Sequence, residues 1–263
     1  MHGKRLLVAA ILLPLLYWYI MYLSREYFLF LLGSLSFVAM LEFYAMYRVY
    51  GLFRLLCLAL GTSLIVISAY VPDFMAKFLA LGIMAVFASR LIIKRTPLSS
   101  LHDLAAPVVG LLYIPLLLSF QTHLRDLGPE WIIFLYASVW SADSFAYYIG
   151  KGIGKTKLYP EVSPNKTVAG AVGSLLGGTL GALLLRMLLV PQIGMYQAAI
   201  TGVIIGIISI IGDLAESMFK RDAGVKDSGI IIPGHGGILD KIDGALFTGP
   251  LLYAMLKIFG MTR

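Results

Sequence analysis

Long apolar stretches, separated by short polar segments, cover most of this chain. Each approaches the roughly 20 residues that a helix needs to cross the hydrocarbon core of a bilayer. Nine such stretches predict membrane-spanning helices at residues 6–23, 27–47, 52–71, 74–93, 104–122, 131–150, 168–190, 196–219 and 244–260. We therefore expect an all-α polytopic membrane protein, with residues 1–263 forming a single integral membrane domain.

Composition agrees with this pattern, because 59% of the residues are hydrophobic, 13% are charged and the mean hydropathy is +0.88.

The first apolar stretch follows Lys4 and Arg5, as in a signal peptide. It lacks a convincing small-x-small cleavage site, so we interpret it as a retained first helix. The single cysteine, Cys57, lies in an apolar run and cannot form an intrachain disulfide.

The distribution of basic residues predicts the orientation of the helices. With the N-terminus in the cytoplasm, 15 of the 21 Lys and Arg residues fall in cytoplasmic segments, and the C-terminus is extracytoplasmic. Anionic lipid headgroups then explain most of the net charge of +7 without a nucleic acid partner. The two longest polar loops, 151–167 and 220–243, are both expected on the cytoplasmic side.

The two halves of the chain differ in their acidic residues. Residues 131–263 hold eight of the fourteen acids, and we assign the catalytic helices and loops to this half. Residues 1–130 are expected to serve mainly as scaffold and lipid contact. Glu42 is the exception there, because an acid within a membrane span is a candidate functional residue. It can equally hydrogen-bond a neighbouring helix or lie near the cytoplasmic end of its span.

Polar side chains recur at helical spacing near the cytoplasmic end of span 196–219. Asp213, Glu216, Ser217 and Lys220 follow the spacing i, i+3, i+4 and i+7 and share one helix face. Two carboxylates one turn apart suit Mg²⁺, which takes oxygen ligands and retains water for substrate phosphates. The alternative is a solvated helix end with Glu216 and Lys220 as an i,i+4 ion pair.

A second pair of acids follows a glycine-rich segment. Residues 233–237 read Pro-Gly-His-Gly-Gly, and Asp240 and Asp243 come next at i, i+3. If a helix begins here, its N-terminal N–H groups favour phosphate. The acids also fit as helix caps. Two acid pairs on one side of the membrane, basic residues and a glycine-rich loop are together the components of a metal-assisted nucleotide site.

Two further segments carry candidate site residues. Asp143 follows an apolar run, so it needs a metal ion or a lysine as partner. Ser163, Lys166 and Thr167 precede a span and can bind phosphate oxygens, although they also suit an ordinary membrane-entry turn. The nearby stretch 150–156 resembles a P-loop, but its spacing is off by one and no strand precedes it.

The polar stretch formed by residues 217–243 resembles the signature of the phosphatidate cytidylyltransferases, also called CDP-diacylglycerol synthases. Its spacing is kept at twelve positions: Ser217, Lys220, Arg221, Lys226, Asp227, Gly229, Pro233, His235, Gly236, Gly237, Asp240 and Asp243. Lys241 stands where the family has Arg, which keeps the charge and loses bidentate geometry. The segment 163–170 resembles a second family motif, with Ala169 in place of the usual Glu. Asp143 and Asp213 also fall where the family has acids.

This resemblance implies transfer of CMP from CTP to phosphatidic acid, giving CDP-diacylglycerol and pyrophosphate. The implied cofactor is Mg²⁺, with a second, monovalent cation such as K⁺ as a further expectation. The implied setting is the bacterial inner membrane, with the site facing the cytoplasm and the protein a homodimer. No nucleic acid partner is expected.

The resemblance also implies a role for each matched residue. The implied catalytic residues are Asp213, Lys220, Arg221, Lys226, Asp240 and Asp243. The implied substrate-binding residues are Ser163, Lys166, Thr167, Ser217, Asp227, His235, Gly236, Gly237 and Lys241. For His235, a role in structuring its loop is an equal alternative to contact with pyrophosphate. The implied metal ligands are Asp213, Asp240, Asp243, Asp143 and Glu216.

Two other classes of protein fit the sequence less well. Residues 240–244 resemble the start of the motif of CDP-alcohol phosphotransferases, but no acid follows Asp243. A membrane transporter would need acids near the middle of its spans. Here the polar clusters lie at predicted cytoplasmic ends.

Overall fold

The computed structural model describes residues 13–229 and 236–262, and this part of the chain is almost entirely helical. The described part of helix α1 covers residues 13–22. The other helices are α2 (Arg25–Met46), α3 (Gly51–Tyr70), α4 (Met75–Lys94), α5 (Ser100–Tyr113), α6 (Pro115–Leu127), α7 (Pro129–Ile153), α8 (Val168–Leu188), α9 (Met195–Asp222) and α10 (Leu239–Ile258). A short 3-10 helix, Pro72–Phe74, precedes α4.

Seven helical segments among the described residues are long and apolar enough to cross a membrane. They correspond to the seven predicted spans between residues 27 and 219. Large apolar side chains such as Phe30, Leu91 and Met187 are exposed along them, as lipid contact requires. The prediction of an all-α polytopic membrane protein is therefore confirmed.

The other two predicted spans are not among these seven. Span 6–23 overlaps residues outside the described part of the chain. Span 244–260 coincides with α10, which begins with the charged residues Asp240, Lys241 and Asp243. Nine spans and the orientation of the termini therefore stay predictions.

One predicted span is interrupted. The apolar stretch 104–122 forms two helices, because α5 ends at Tyr113 and α6 begins at Pro115. Proline lacks the N–H group that would continue the helical hydrogen bonds, and it disfavours helical backbone at the residue before it. Ile114 between them has φ −97° and ψ −73°. The end of α5 consequently places Tyr113 in the core, packed against Phe219 of α9.

Small residues let α8 and α9 approach each other closely. A Cβ atom on Gly202 would lie 2.5 Å from the carbonyl oxygen of Gly178, and one on Gly206 would lie 2.6 Å from that of Ser174. The hydroxyl of Ser174 donates to the carbonyl of Gly206 across the interface, at 2.9 Å. Close backbone contact through small residues is how helices associate in a membrane.

A β-hairpin, absent from the all-α prediction, occupies the polar loop between α7 and α8. Strand β1 (Lys157–Tyr159) pairs antiparallel with β2 (Ser163–Thr167), and Lys157 lies opposite Thr167. Thr167 ends β2 and caps α8, because its Oγ1 accepts a hydrogen bond from the Gly170 N–H at 3.0 Å. The hairpin thereby fixes the 151–167 loop beside the helices of the site described below.

Replacing Gly202 with alanine tests the α8–α9 contact. We expect Gly202→Ala to destabilise the protein by about 1–3 kcal/mol, because the added methyl meets backbone atoms that cannot move aside. Gly152→Ala is the matched control, since a Cβ at this α7 position has no neighbour within 4 Å. Thermal unfolding in detergent measures both variants. Equal unfolding midpoints for the two variants would contradict the close contact.

Candidate active site

One cavity of about 730 Å³ gathers most of the predicted site residues. It lies among α7, the hairpin, α8, α9 and the start of α10. Eight predicted residues line it: Asp143, Lys166, Thr167, Asp213, Glu216, Lys220, Asp240 and Asp243. These eight residues, from three helices and the polar loop and separated by up to 100 positions in sequence, therefore face a common space.

The polar face of α9 supplies three of these residues. Asp213, Glu216 and Lys220 line the cavity, as their helical spacing predicted. Ser217 is buried beside them, and its Oγ donates to Asp213 Oδ1 at 3.3 Å. The predicted ion pair between Lys220 and Glu216 is present at 2.7 Å. It is buried rather than solvated, because only 1% of Glu216 and 9% of Lys220 is exposed.

The ammonium group of Lys220 joins α9 to α10. Its Nζ lies 2.7 Å from Glu216 Oε2 and 2.6 Å from Asp240 Oδ1. A buried charge is tolerated only when it is paired and hydrogen-bonded. One lysine thus compensates two carboxylates from different helices, and it fixes the position of the first turn of α10 relative to α9.

The second oxygen of Asp240 is also fully engaged. Asp240 Oδ2 accepts hydrogen bonds from the Ser228 N–H (3.1 Å), the Ser228 hydroxyl (2.9 Å) and the Gly237 N–H (2.8 Å). Burial raises the pKa of Asp240, but the hydrogen bonds from Lys220, Gly237 and Ser228 outweigh it and leave the pKa below its ordinary value. Gly236, with φ +89°, takes the left-handed conformation that brings the chain against this carboxylate. Asp240 is therefore ionised, with both of its oxygens held by hydrogen bonds.

Three other carboxylates reach the cavity from three helices: Asp143 from α7, Asp213 from α9 and Asp243 from α10. Asp213 Oδ2 lies 2.6 Å from Lys166 Nζ, an ion pair without the angles of a hydrogen bond. The buried Glu216 Oε1 has no hydrogen-bond donor among the described residues.

These carboxylates provide the all-oxygen donor set that Mg²⁺ prefers. Within residues 13–229 and 236–262, no three acidic, His or Cys side chains converge closely enough to hold one ion as they stand. The donor chemistry therefore fits a divalent cation, whereas the side-chain positions do not yet form a closed coordination shell.

The cavity also has basic lining residues. Lys151 at the end of α7 and Lys157 on β1 line it together with Lys166. The sequence interpretation missed Lys151, because it set aside the stretch 150–156 as a false P-loop, and it missed Lys157, because it did not predict the hairpin. Asn165 and Tyr147 are further lining residues that it did not select. The high density of lysines within the short polar loop 151–167 is the sequence signal that could have identified Lys151 and Lys157.

Several predicted residues do not line this cavity. Arg221 donates instead to the carbonyl groups of Val162 (3.2 Å) and Val225 (2.9 Å), which holds the hairpin against the end of α9. Gly237 and Gly236 contribute through Asp240, as described above. Four more lie elsewhere on the molecule, namely Ser163 on β2 and the exposed Lys226, Asp227 and Lys241. His235 lies outside the described residues.

Glu42 is the other residue whose role the sequence left open. It is buried and accepts hydrogen bonds from Ser228 and from the first residues of α10. Of the two alternatives, a hydrogen-bonding partner of neighbouring segments is therefore the one that the structure supports.

Removing the Lys220 ammonium tests its structural role. We expect Lys220→Met to lower the unfolding midpoint by about 6–12 °C, because it leaves two buried carboxylates without their cation. Lys155→Met, at an exposed position, is the control and should unfold like the wild type. Thermal unfolding in detergent again gives the measurement. A Lys220→Met protein as stable as the control would show that the buried network contributes little.

Comparison with known proteins adds three related sequences, each named phosphatidate cytidylyltransferase. The Synechocystis protein is 52% identical over 125 residues, which are 46% of this chain and 41% of that protein. The Brucella abortus protein is 42% identical over 156 residues, 58% of this chain and 57% of the relative. The Bacillus subtilis protein is 39% identical over 151 residues, 56% of each chain. This chain thus spans about half the length of the curated relatives it matches.

The broader family comparison extends over almost all of the sequence. Residues 3–259 match the model of the cytidylyltransferase family, so the match includes every element of the cavity. The resemblance seen in the motifs is therefore confirmed: this chain belongs to the cytidylyltransferase family.

Proposed function

We propose that this protein is a phosphatidate cytidylyltransferase, which transfers CMP from CTP to phosphatidic acid and releases pyrophosphate. The observation that carries the proposal is the single cavity in which the carboxylates of α7, α9 and α10 face the lysines of the polar loop. The names of the relatives from Synechocystis and Bacillus subtilis support the same reaction.

The chemistry requires little acid–base assistance. A phosphate oxygen of phosphatidic acid attacks the α-phosphorus of CTP, a new P–O bond forms, and the bond to the β-phosphate breaks to release pyrophosphate. By analogy with other phosphate monoesters, whose second pKa is about 6, the nucleophile is already mostly dianionic at neutral pH. The main barrier is therefore bringing two polyanions together, which positioning and electrostatics can lower.

The lysines on the cavity wall suit this task. Lys151, Lys157 and Lys166 place three positive charges beside the space that the substrates would occupy. Lysine is a compact, flexible point charge that can follow a phosphate as its charge changes. We assign these residues to the triphosphate of CTP and to the phosphatidate headgroup, with Thr167 and Asn165 completing the wall.

Mg²⁺ is the cofactor that the carboxylates suit best. Asp143, Asp213 and Asp243 would hold it, with Asp213 giving up its ion pair with Lys166, which we assign to phosphate. Asp240 and one oxygen of Glu216 are engaged by the buried Lys220. When bound, the ion would neutralise phosphate charge. A second, monovalent cation such as K⁺ is also part of the proposal, and Glu216 Oε1, which has no hydrogen-bond donor among the described residues, is a candidate ligand for it.

The membrane setting follows from the charge distribution. We propose nine spans, a cytoplasmic N-terminus, an extracytoplasmic C-terminus, and location in a bacterial inner membrane with the cavity facing the cytoplasm. Fifteen of the 21 basic residues then lie on the cytoplasmic side, which supports this orientation. CTP would arrive from the cytoplasm and phosphatidic acid sideways from the inner leaflet. A homodimer is the proposed assembly, on the family resemblance alone.

The reaction itself can be measured directly. We expect purified protein in mixed micelles to incorporate labelled CTP into chloroform-soluble lipid only when phosphatidic acid and Mg²⁺ are both present. Omitting either one gives the background. No incorporation by folded protein, across several acyl chains and divalent cations, would overturn the proposed function.

A single change on α9 tests the carboxylate assignment. Asp213→Asn should reduce turnover at least about 100-fold, because it removes a charged ligand from the cavity. Asp222→Asn is the control: it lies on the same helix, but outside the cavity, where it accepts a hydrogen bond from Tyr47 at 2.9 Å. The control should turn over like the wild type. Equal rates for both variants would remove Asp213 from the catalytic site.

A further inference from the structure

Glu42 joins the N-terminal half of the chain to the catalytic half. It belongs to α2, yet its carboxylate lies at the beginning of α10, almost 200 residues later. Only 5% of this residue is exposed, and it does not line the cavity. A buried carboxylate of this kind persists because its hydrogen bonds are satisfied.

Three hydrogen bonds hold this carboxylate. Glu42 Oε1 accepts from the Ile238 N–H at 3.0 Å, and Oε2 accepts from the Leu239 N–H at 2.9 Å. Oε2 also lies 3.2 Å from the Ser228 hydroxyl, whose single proton it shares with Asp240 Oδ2. Both oxygens are therefore used, and all three donors belong to the segments that flank residues 230–235.

Helix α10 depends on this distant residue for its cap. The first N–H groups of any helix lack partners within the helix, and a neighbouring side chain usually satisfies one of them. The residue at the N-cap position of α10 is Ile238, which has no side-chain acceptor. Glu42, which is located on α2, supplies this cap to α10. Its negative charge also interacts favourably with the positive end of the α10 helix dipole.

Two glycines allow the chain to approach Glu42 from both sides. A Cβ atom on Gly229 would lie 2.5 Å from Glu42 Oε1, and one on Gly237 would lie 2.5 Å from Oε2. A Cβ atom at either position would therefore force the Glu42 carboxylate out of its hydrogen-bonded place. Both flanks of the motif therefore pack on the same carboxylate, which explains the glycine at each position in physical terms.

The Ser228 hydroxyl connects Glu42 to the site. Its oxygen lies 3.2 Å from Glu42 Oε2 and 2.9 Å from Asp240 Oδ2. Glu42 and Asp240 thus bind the same segment from opposite sides, and Asp240 continues through Lys220 to α9. Any shift of the start of α10 would move Asp240 and also Asp243, one turn further along the helix.

We propose that Glu42 is a positioning residue, which fixes the first turn of α10 and thereby the placement of Asp240 and Asp243 in the cavity. The claim about catalysis rests on the function proposed above, whereas the claim about the helix start does not. Glu42 acts through these neighbours and touches no substrate.

Glu42→Gln is the first test, because it keeps the size of the side chain and replaces one acceptor oxygen by an NH₂ donor. Hydrogen exchange followed by mass spectrometry reports on the helix start without requiring activity. We expect the amides of Ile238 and Leu239 to exchange at least about tenfold faster than in the wild type, with α8 unchanged. Glu26→Gln, an exposed position on the same helix, is the matched control and should exchange like the wild type.

Kinetics separate positioning from mere stabilisation. In Glu42→Gln we expect kcat to fall at least about tenfold while KM for CTP changes little, since the lysine wall is untouched. Unchanged exchange at Ile238 and Leu239 would overturn the capping role. Faster exchange with wild-type kcat would overturn the positioning role.

Two further outcomes remain decisive. If Glu42→Gln does not yield folded protein, the same measurements are made on Glu42→Asp. The aspartate keeps the charge but withdraws the carboxylate oxygens by one methylene. The same exchange and kinetic results then support or overturn the proposal. If the wild type itself shows no phosphatidate-dependent use of CTP, the proposed function fails and the positioning role falls with it. The exchange data still decide whether Glu42 caps α10.

Discussion

The buried ammonium of Lys220 is the interaction on which the rest of the site depends. It lies between Glu216 of α9 and Asp240 of α10, within 2.7 Å of each. Because burying either carboxylate alone would be costly, the two helices can adopt this arrangement only with the cation between them. Asp213 and Asp243, on the same two helices, line one cavity together with the lysines of the polar loop.

Much of this could be predicted from the sequence, since hydrophobic length and helical spacing are local properties. The apolar stretches between residues 27 and 219 correspond to seven membrane-length helices, and the face shared by Asp213, Glu216 and Lys220 follows directly from the helix period. The motif resemblance brought Asp143, Lys166 and the acids of α10 into the same hypothesis, and they do line one cavity.

The remainder depends on contacts between distant segments, which spacing does not reveal. Glu42 meets its donors from 186 to 197 residues away, so the sequence could only mark it as an unusual acid. Pro115 could have indicated the break between α5 and α6. The apolar stretch 104–122 continues across it, however, and was therefore predicted as one span. Lys157 was missed because the hairpin that carries it to the cavity forms between two short polar runs with no strong strand pattern. Arg221 matched the motif, yet it does not line the cavity and donates instead to the carbonyl of Val162 in the hairpin.

A structure of the protein with CTP bound, using Ca²⁺ in place of Mg²⁺ to prevent turnover, tests the central claim most directly. A second cavity of about 520 Å³, lined by residues that include Tyr47, Arg48 and Lys94, provides the alternative location. Our account predicts that the triphosphate lies along Lys151, Lys157 and Lys166, with the cation on the carboxylate side. Nucleotide bound in the second cavity, or bound without contact to these lysines, would contradict it.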